Sequence, residues 1–227
     1  MGQEERIQKA YRGLGGKRTF YDGMITCSTL PGRAVCSLVW EMGRAETQDY
    51  LCAALSGIPE GFSGRLLEVP VGTGILTMPL YREMPEAEIT CLDYSPEMLE
   101  RAKSRGEGLA HVCFQQGDVG ALPFGDGSFD IVLSLNGFHA FPDNVMGADM
   151  HKLLLESLRV LKKGGVFALN DDMKPKLYGD MDAFAQKLRE MGYQDVRLID
   201  TAEEAFGSHR RAAMMMLGSS QLLVGRK

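Results

Sequence analysis

Residues Arg65-Leu66-Leu67-Glu68-Val69-Pro70-Val71-Gly72-Thr73-Gly74 join a short apolar run to a compact glycine turn, and no other stretch limits the fold as tightly. A second apolar run, Ala87 to Leu92, ends in Asp93, about 20 residues past the turn. A strand that breaks into glycines, followed by a strand ending in an acid, reads as the first half of a nucleotide-binding α/β unit. The turn lets a ligand approach the backbone, and the acid caps a ribose hydroxyl pair.

From Leu66 onward the pattern is periodic. Apolar runs predict strands over about 66–69, 89–92, 112–115, 129–135, 166–169, 196–199 and 221–224. A helix is expected from the glycine turn to Arg82, with Pro79 placed to kink it. Ser95-Pro96-Glu97-Met98 reads as an N-cap, a proline at the first helical position and an acid in the first turn, opening a helix through Ser104. Further helices are expected over 149–161, closed by Lys162-Lys163-Gly164-Gly165, and over 181–191, stopped by Gly192. Strands separated by helical spans call for a mostly parallel sheet covered on both faces. Residues 1–60 differ: glycines break an early helical stretch, Leu30-Pro31-Gly32 reads as a turn, and Glu46 to Leu55 reads as an amphipathic helix. They are expected to form an N-terminal helical cap on a domain spanning 61–227.

A chain of 227 residues suits one buried core with a small accessory region. A net charge of -5 without an Arg/Lys run argues against a nucleic-acid partner. No window holds the roughly 20 apolar residues that span a bilayer, so no stable membrane insertion is expected. Met1-Gly2-Gln3-Glu4-Glu5-Arg6 lacks the basic start and apolar core of a secretion signal. Five cysteines, an odd number with no Cys-x-x-Cys pair, point to a reducing, cytoplasmic setting, with Cys91 and Cys113 packing as small hydrophobes in strands. Met214-Met215-Met216 is read as packing, and no metal site is expected.

Gly72 and Gly74 remove side chains where a bulky ligand would lie against the chain. Thr77 stands where a dinucleotide fingerprint wants a third glycine, and no Lys-Ser or Lys-Thr follows the turn as a phosphate-binding loop requires. Asp93 can accept from two ribose hydroxyls, and Tyr94 or Met98 can lie against an adenine face. Glu68 is costly to bury unpaired. At the mouth of the site it would hold a ligand ammonium or an ordered water; otherwise it forms a salt bridge within the scaffold. Gly117-Asp118-Val119 repeats the motif of strand, acid and apolar residue, with Asp118 suited to an exocyclic amine and Val119 to a ring.

Four blocks in this order and spacing resemble class I S-adenosylmethionine-dependent methyltransferases, of the small-molecule branch that includes the ubiquinone/menaquinone-biosynthesis type. They are Leu67 to Gly74, Leu92 to Leu99, Gly117 to Phe124 and Phe129 to Val132; Leu158 to Gly165 also looks like the family's junction into strand five. The resemblance implies a Rossmann-like, doubly wound seven-stranded sheet with an antiparallel last strand. It implies S-adenosylmethionine as cofactor and S-adenosylhomocysteine as product. Glu68 to Gly74, including Thr73, would hold the methionine part, Asp93 the ribose, and Asp118 and Val119 the adenine. Ser134 and Leu135 would neighbour the methionine moiety, and Tyr21 resembles an N-terminal aromatic that closes over the cofactor. The chain departs from the pattern at Pro70, where a glycine usually stands.

Methyl transfer needs in-line approach more than acid–base help, although an enol, phenol or thiol must lose its proton. His139, after strand four, is the candidate base, or else a loop residue that braces the pocket. Phe20, Tyr21, Met24, Trp40, Phe138 and Phe141 suggest an apolar wall for a small, partly hydrophobic acceptor, with Asn170 to Lys176 beside it. Gly207 to Arg211 reads as a solvated loop. The rival readings are an NAD-dependent Rossmann oxidoreductase and a non-catalytic protein-binding module. The oligomeric state is not legible.

Overall fold

A computed structural model describes residues 29–35, 37, 42–137, 148–173, 178–213 and 220–227. Seven strands form one sheet: β1 (Arg65–Glu68), β2 (Glu88–Asp93), β3 (Val112–Gln116), β4 (Phe129–Leu135), β5 (Leu161–Asp172), β6 (Gln194–Asp200) and β7 (Ser220–Arg226). Their order is β3-β2-β1-β4-β5-β7-β6. The first five pair in parallel, and β7 runs antiparallel between β5 and β6. The expected doubly wound sheet with an antiparallel last strand is what the chain forms.

The continuous apolar runs reflect a sheet covered on both faces. Leu67, Val69, Val132, Phe167 and Leu169 point to one core, shared with Met150, Leu153 and Leu154 of helix α5 (Ala148–Val160) and Phe184 and Leu188 of α6 (Met181–Glu190). Leu66, Ile89, Cys91, Ile131 and Leu133 point to the other, under α3 (Met78–Arg82) and α4 (Pro96–Arg105). Ser95 caps α4 by accepting from Met98 N at 3.3 Å, with Pro96 at the first position, as the sequence predicts.

Several expectations are corrected. Pro79 does not kink a long helix: α3 starts only at Met78, and Pro79 sits in its first turn, where its missing N–H costs nothing. Helix α5 ends at Val160, and Lys162 to Gly165 belong to β5, which opens with Leu161 beside Phe129. Leu30-Pro31-Gly32 begins a short helix, α1 (Leu30–Val35). Cys91 is buried, but Cys113 is exposed on the edge strand β3. Helix α7 (Thr201–Ala213) had no sequence prediction, and it includes the stretch read as a loop, broken at Gly207 with φ 78°. It packs on α2 (Arg44–Ala54), where Tyr50, Ala54, Leu135 and Ala202 form a third apolar cluster joined by Leu76 and Phe206.

Candidate functional site

The order β3-β2-β1-β4 sets four carboxyl ends side by side, and the direction of winding reverses between β1 and β4. Open α/β sheets bind ligands in the crevice at such a point. Backbone bonds lock the exits to one another. Val69 N donates to Leu133 O and Val71 N to Leu92 O, each at 2.9 Å, and Gly117 N donates to Asp93 O at 3.1 Å. The segments carrying Gly72 to Gly74, Asp93 to Met98, Asp118 to Val119, and Ser134 to Leu135 therefore meet along one edge.

Asp93 joins the first two. Its Oδ2 accepts from Gly72 N at 2.7 Å and its Oδ1 from Ser95 N at 2.9 Å. Burial pushes its carboxyl above the usual carboxylate range, against the pull of the Ser95, Gly72 and Tyr94 amides. A carboxylate has about four lone-pair sites, so the amides that hold it leave acceptor capacity for a ligand hydroxyl. Gly72 has φ 57°, and a side chain there would meet nothing within 4 Å. That position needs glycine for its backbone and opens onto free space. Gly74 does something else: a Cβ would come to 3.0 Å from Met78 Cγ and 3.3 Å from Ala102 Cα, so its missing side chain lets α3 and α4 close on the turn. Thr73 is buried, and its carbonyl accepts from Arg105 Nη1, a tether that no local pattern in the sequence announces.

Tyr94 is exposed beside Asp93, whereas Met98 is buried in α4. Asp118 is exposed, its Oδ1 accepting from Gly120 N at 2.8 Å, and Val119 is buried beneath it. The loop beyond is clamped from α5: Glu156 Oε2 accepts from Leu122 N, while Arg159 donates to Glu156, Asp126 and the carbonyls of Leu122 and Phe124. Ser134 is fully buried, and its hydroxyl has no hydrogen-bond partner among the described residues. Leu135 follows it, and then Asn136 turns the chain with φ 50°.

One placement differs from expectation. Glu68 does not stand at the mouth and forms no salt bridge with a described residue. Its side chain is turned under α3, where Oε2 accepts from Tyr81 OH at 2.8 Å, Thr77 Oγ1 at 3.0 Å and Cys91 Sγ at 3.8 Å. Burial pushes its carboxyl up to about 8. Pro70 is matched by Gly137, where a Cβ would fall 2.5 Å from Pro70 Cγ, so the ring occupies the space a side chain at 137 would need. Tyr21 and His139 lie outside the described residues, as do Phe20, Met24, Trp40, Phe138, Phe141, Lys174 to Lys176 and Met214 to Met216. Among the described residues no cluster of His, Cys, Asp or Glu could hold a metal, and no helix is long and apolar enough to cross a membrane.

Residues 67–169 match the protein family described as "Methyltransferase domain". Over that stretch the chain is similar to methyltransferase domains, in line with its resemblance to the class I S-adenosylmethionine-dependent enzymes. A demethylmenaquinone methyltransferase from Thermus thermophilus is 42% identical over 103 residues, 44% of this chain and 44% of that protein. A chloroplastic 2-methyl-6-phytyl-1,4-hydroquinone methyltransferase from Oryza sativa is 27% identical over 164 residues, 67% of this chain and 45% of that protein. The matches thus span less than half of these relatives. Among solved structures, the complex of the Haloferax volcanii Trm112 methyltransferase activator with a putative methyltransferase aligns at TM-score 0.60 and 21% identity, over 80% of this chain and 91% of that one. The [4+2]-cyclase SpnF aligns at TM-score 0.60 and 20% identity, over 80% and 81%. These likenesses establish the fold, which hosts more than one chemistry.

The residues present fit the family's cofactor. A crevice opens at Gly72, a buried hydroxyl lacks a described partner at Ser134, and the Asp93 carboxylate keeps spare acceptor sites. The antiparallel β7 between β5 and β6 also departs from the 3-2-1-4-5-6 order of dinucleotide dehydrogenases, which weighs against the oxidoreductase alternative.

Proposed function

We propose that the protein transfers the methyl group of S-adenosylmethionine to a small, partly apolar acceptor of the hydroquinone type. The junction of Asp93 with Gly72 at the reversal point of the sheet carries this reading, because it sets a ribose-binding acid against an open glycine turn. In it Asp93 takes the ribose hydroxyls, Asp118 the adenine amine, and Val119, Tyr94 and Met98 the ring. Gly72, Thr73 and Gly74 form the wall along the methionine part, with Ser134 and Leu135 opposite. The bound cofactor supplies an electrophilic methyl group on a sulfonium. The protein's share is to hold donor and acceptor in line, a contribution that can be worth roughly 7–11 kcal/mol of barrier. A phenolic acceptor must also lose a proton, which this reading assigns to His139, with Tyr21 closing over the cofactor.

The quinol class is supported by the two relatives above, which are named for a menaquinone precursor and a phytylhydroquinone. Free thiols at Cys52, Cys91 and Cys113 agree with a reducing cytoplasm as the place of the reaction. The test is a screen with S-adenosylmethionine carrying an isotopically labelled methyl group, offered a metabolite extract and a panel of short-chain hydroquinones. Label is expected in an apolar, phenol-derived product. Label in no small molecule, with S-adenosylhomocysteine still bound, would refute the reading.

A further inference from the structure

The placement of Glu68 points to a role that its position in the motif does not disclose. It ends β1, immediately before the loop that carries Gly72, Thr73 and Gly74, and Thr77 is the N-cap of the helix that follows that loop. Thr77 and Tyr81 are four residues apart, so both present their hydroxyls from one face of α3. Both donate to the same Glu68 oxygen. Glu68 is only 2% exposed, Thr77 1% and Tyr81 0%. Cys91 approaches from β2, and the other charged neighbour, Asp93, carries the same sign as a carboxylate. With no cation among these neighbours, the cost of burying an anion outweighs the pull of the three donors, and the carboxyl is held toward its neutral form.

We infer that Glu68 is a positioning residue: its carboxyl fastens the start of the 69–76 loop to the end of it through Thr77 and Tyr81, and so presets the wall against which the cofactor lies. It acts through the loop, with Oε2 taken up by the two hydroxyls. This inference rests on the cofactor reading above for its consequence, but the fastening itself does not.

Four variants test it: Glu68→Ala, Glu68→Gln, Tyr81→Phe and the double Glu68→Ala/Tyr81→Phe. Each is titrated with S-adenosylhomocysteine by calorimetry and unfolded in urea. Glu68→Ala is expected to weaken binding about tenfold or more. Glu68→Gln, whose amide oxygen can accept from both hydroxyls, is expected to restore it to within about threefold of the wild type. Because Tyr81 acts through Glu68, the double variant should bind no worse than Glu68→Ala alone, and unfolding should show the same non-additivity. A Glu68→Gln protein that folds normally yet binds as weakly as Glu68→Ala would overturn the inference in favour of a charge contact. Strictly additive effects in binding and in unfolding would overturn it too. If the wild type does not bind S-adenosylhomocysteine, the cofactor reading fails, and the unfolding cycle decides the fastening alone.

Discussion

Replacing Asn170 should destabilise the protein far more than a typical polar substitution. Asn170 is fully buried near the end of β5, and its side-chain amide joins that strand to α2, α7 and the turn after β4. Its Nδ2 donates to Asn136 Oδ1 and to Tyr50 OH, each at 3.1 Å, and its Oδ1 accepts from Thr201 Oγ1 at 2.7 Å. Tyr50 OH also lies 2.6 Å from Ser220 Oγ, extending the chain to β7. Asn170→Ala removes three hydrogen bonds at about 1 kcal/mol each and strands the buried Thr201 hydroxyl for another 1–3 kcal/mol or so. The sum, on the order of 4–6 kcal/mol, corresponds to a fall in Tm of roughly 8–24 °C at this chain length. Urea unfolding of Asn170→Ala, Tyr50→Phe and the double variant would measure it. The two sites should be non-additive by about 1 kcal/mol, since each removes the bond they share. A loss below about 1 kcal/mol for Asn170→Ala, additive with Tyr50→Phe, would refute the reasoning, because it would mean that water replaces the amide.

The remaining predictions concern the site itself. Glu68 has a folded-state pKa raised from 4.5 to about 8 by burial, so its contribution to stability is full below the lower value and lost as pH rises through the upper one. Between pH 5 and 8 the wild type should therefore lose up to roughly 4 kcal/mol relative to Glu68→Gln, at about 1.4 kcal/mol per pH unit; parallel stability curves for the two proteins would contradict this. Gly137→Ala should cost about 1–3 kcal/mol in urea unfolding, because the new methyl would press on the rigid Pro70 ring. Adding Pro70→Gly should recover most of that loss, and a double variant no better than Gly137→Ala would show that the clash lies elsewhere.

Local signals in the sequence reach most of the sheet. The seven apolar runs become the seven strands, and Ser95-Pro96 starts α4 as its residue types require. The misses have physical causes. Glu68 looks like a mouth residue until strand parity is applied: it lies on the same face as Leu66, the face that α3 covers. The pair Thr77 and Tyr81 on one helical face was the available clue, but its meaning depends on where α3 docks. The Pro70–Gly137 and Tyr50–Asn170 contacts join residues far apart in sequence and leave no local trace. Helix α7 escaped because it follows β6 without a break and Gly207 interrupts its period.

The central claim is that Asp93 binds the ribose of a sulfonium nucleoside beside the Gly72 turn. Calorimetric titration of wild type and Asp93→Ala with S-adenosylhomocysteine tests it most directly. The wild type should bind, and Asp93→Ala should lose about a hundredfold or more in affinity, as expected when two hydrogen bonds to a charged acceptor disappear, while still unfolding cooperatively. Equal affinity in the two proteins, or no binding by the wild type, would contradict the account.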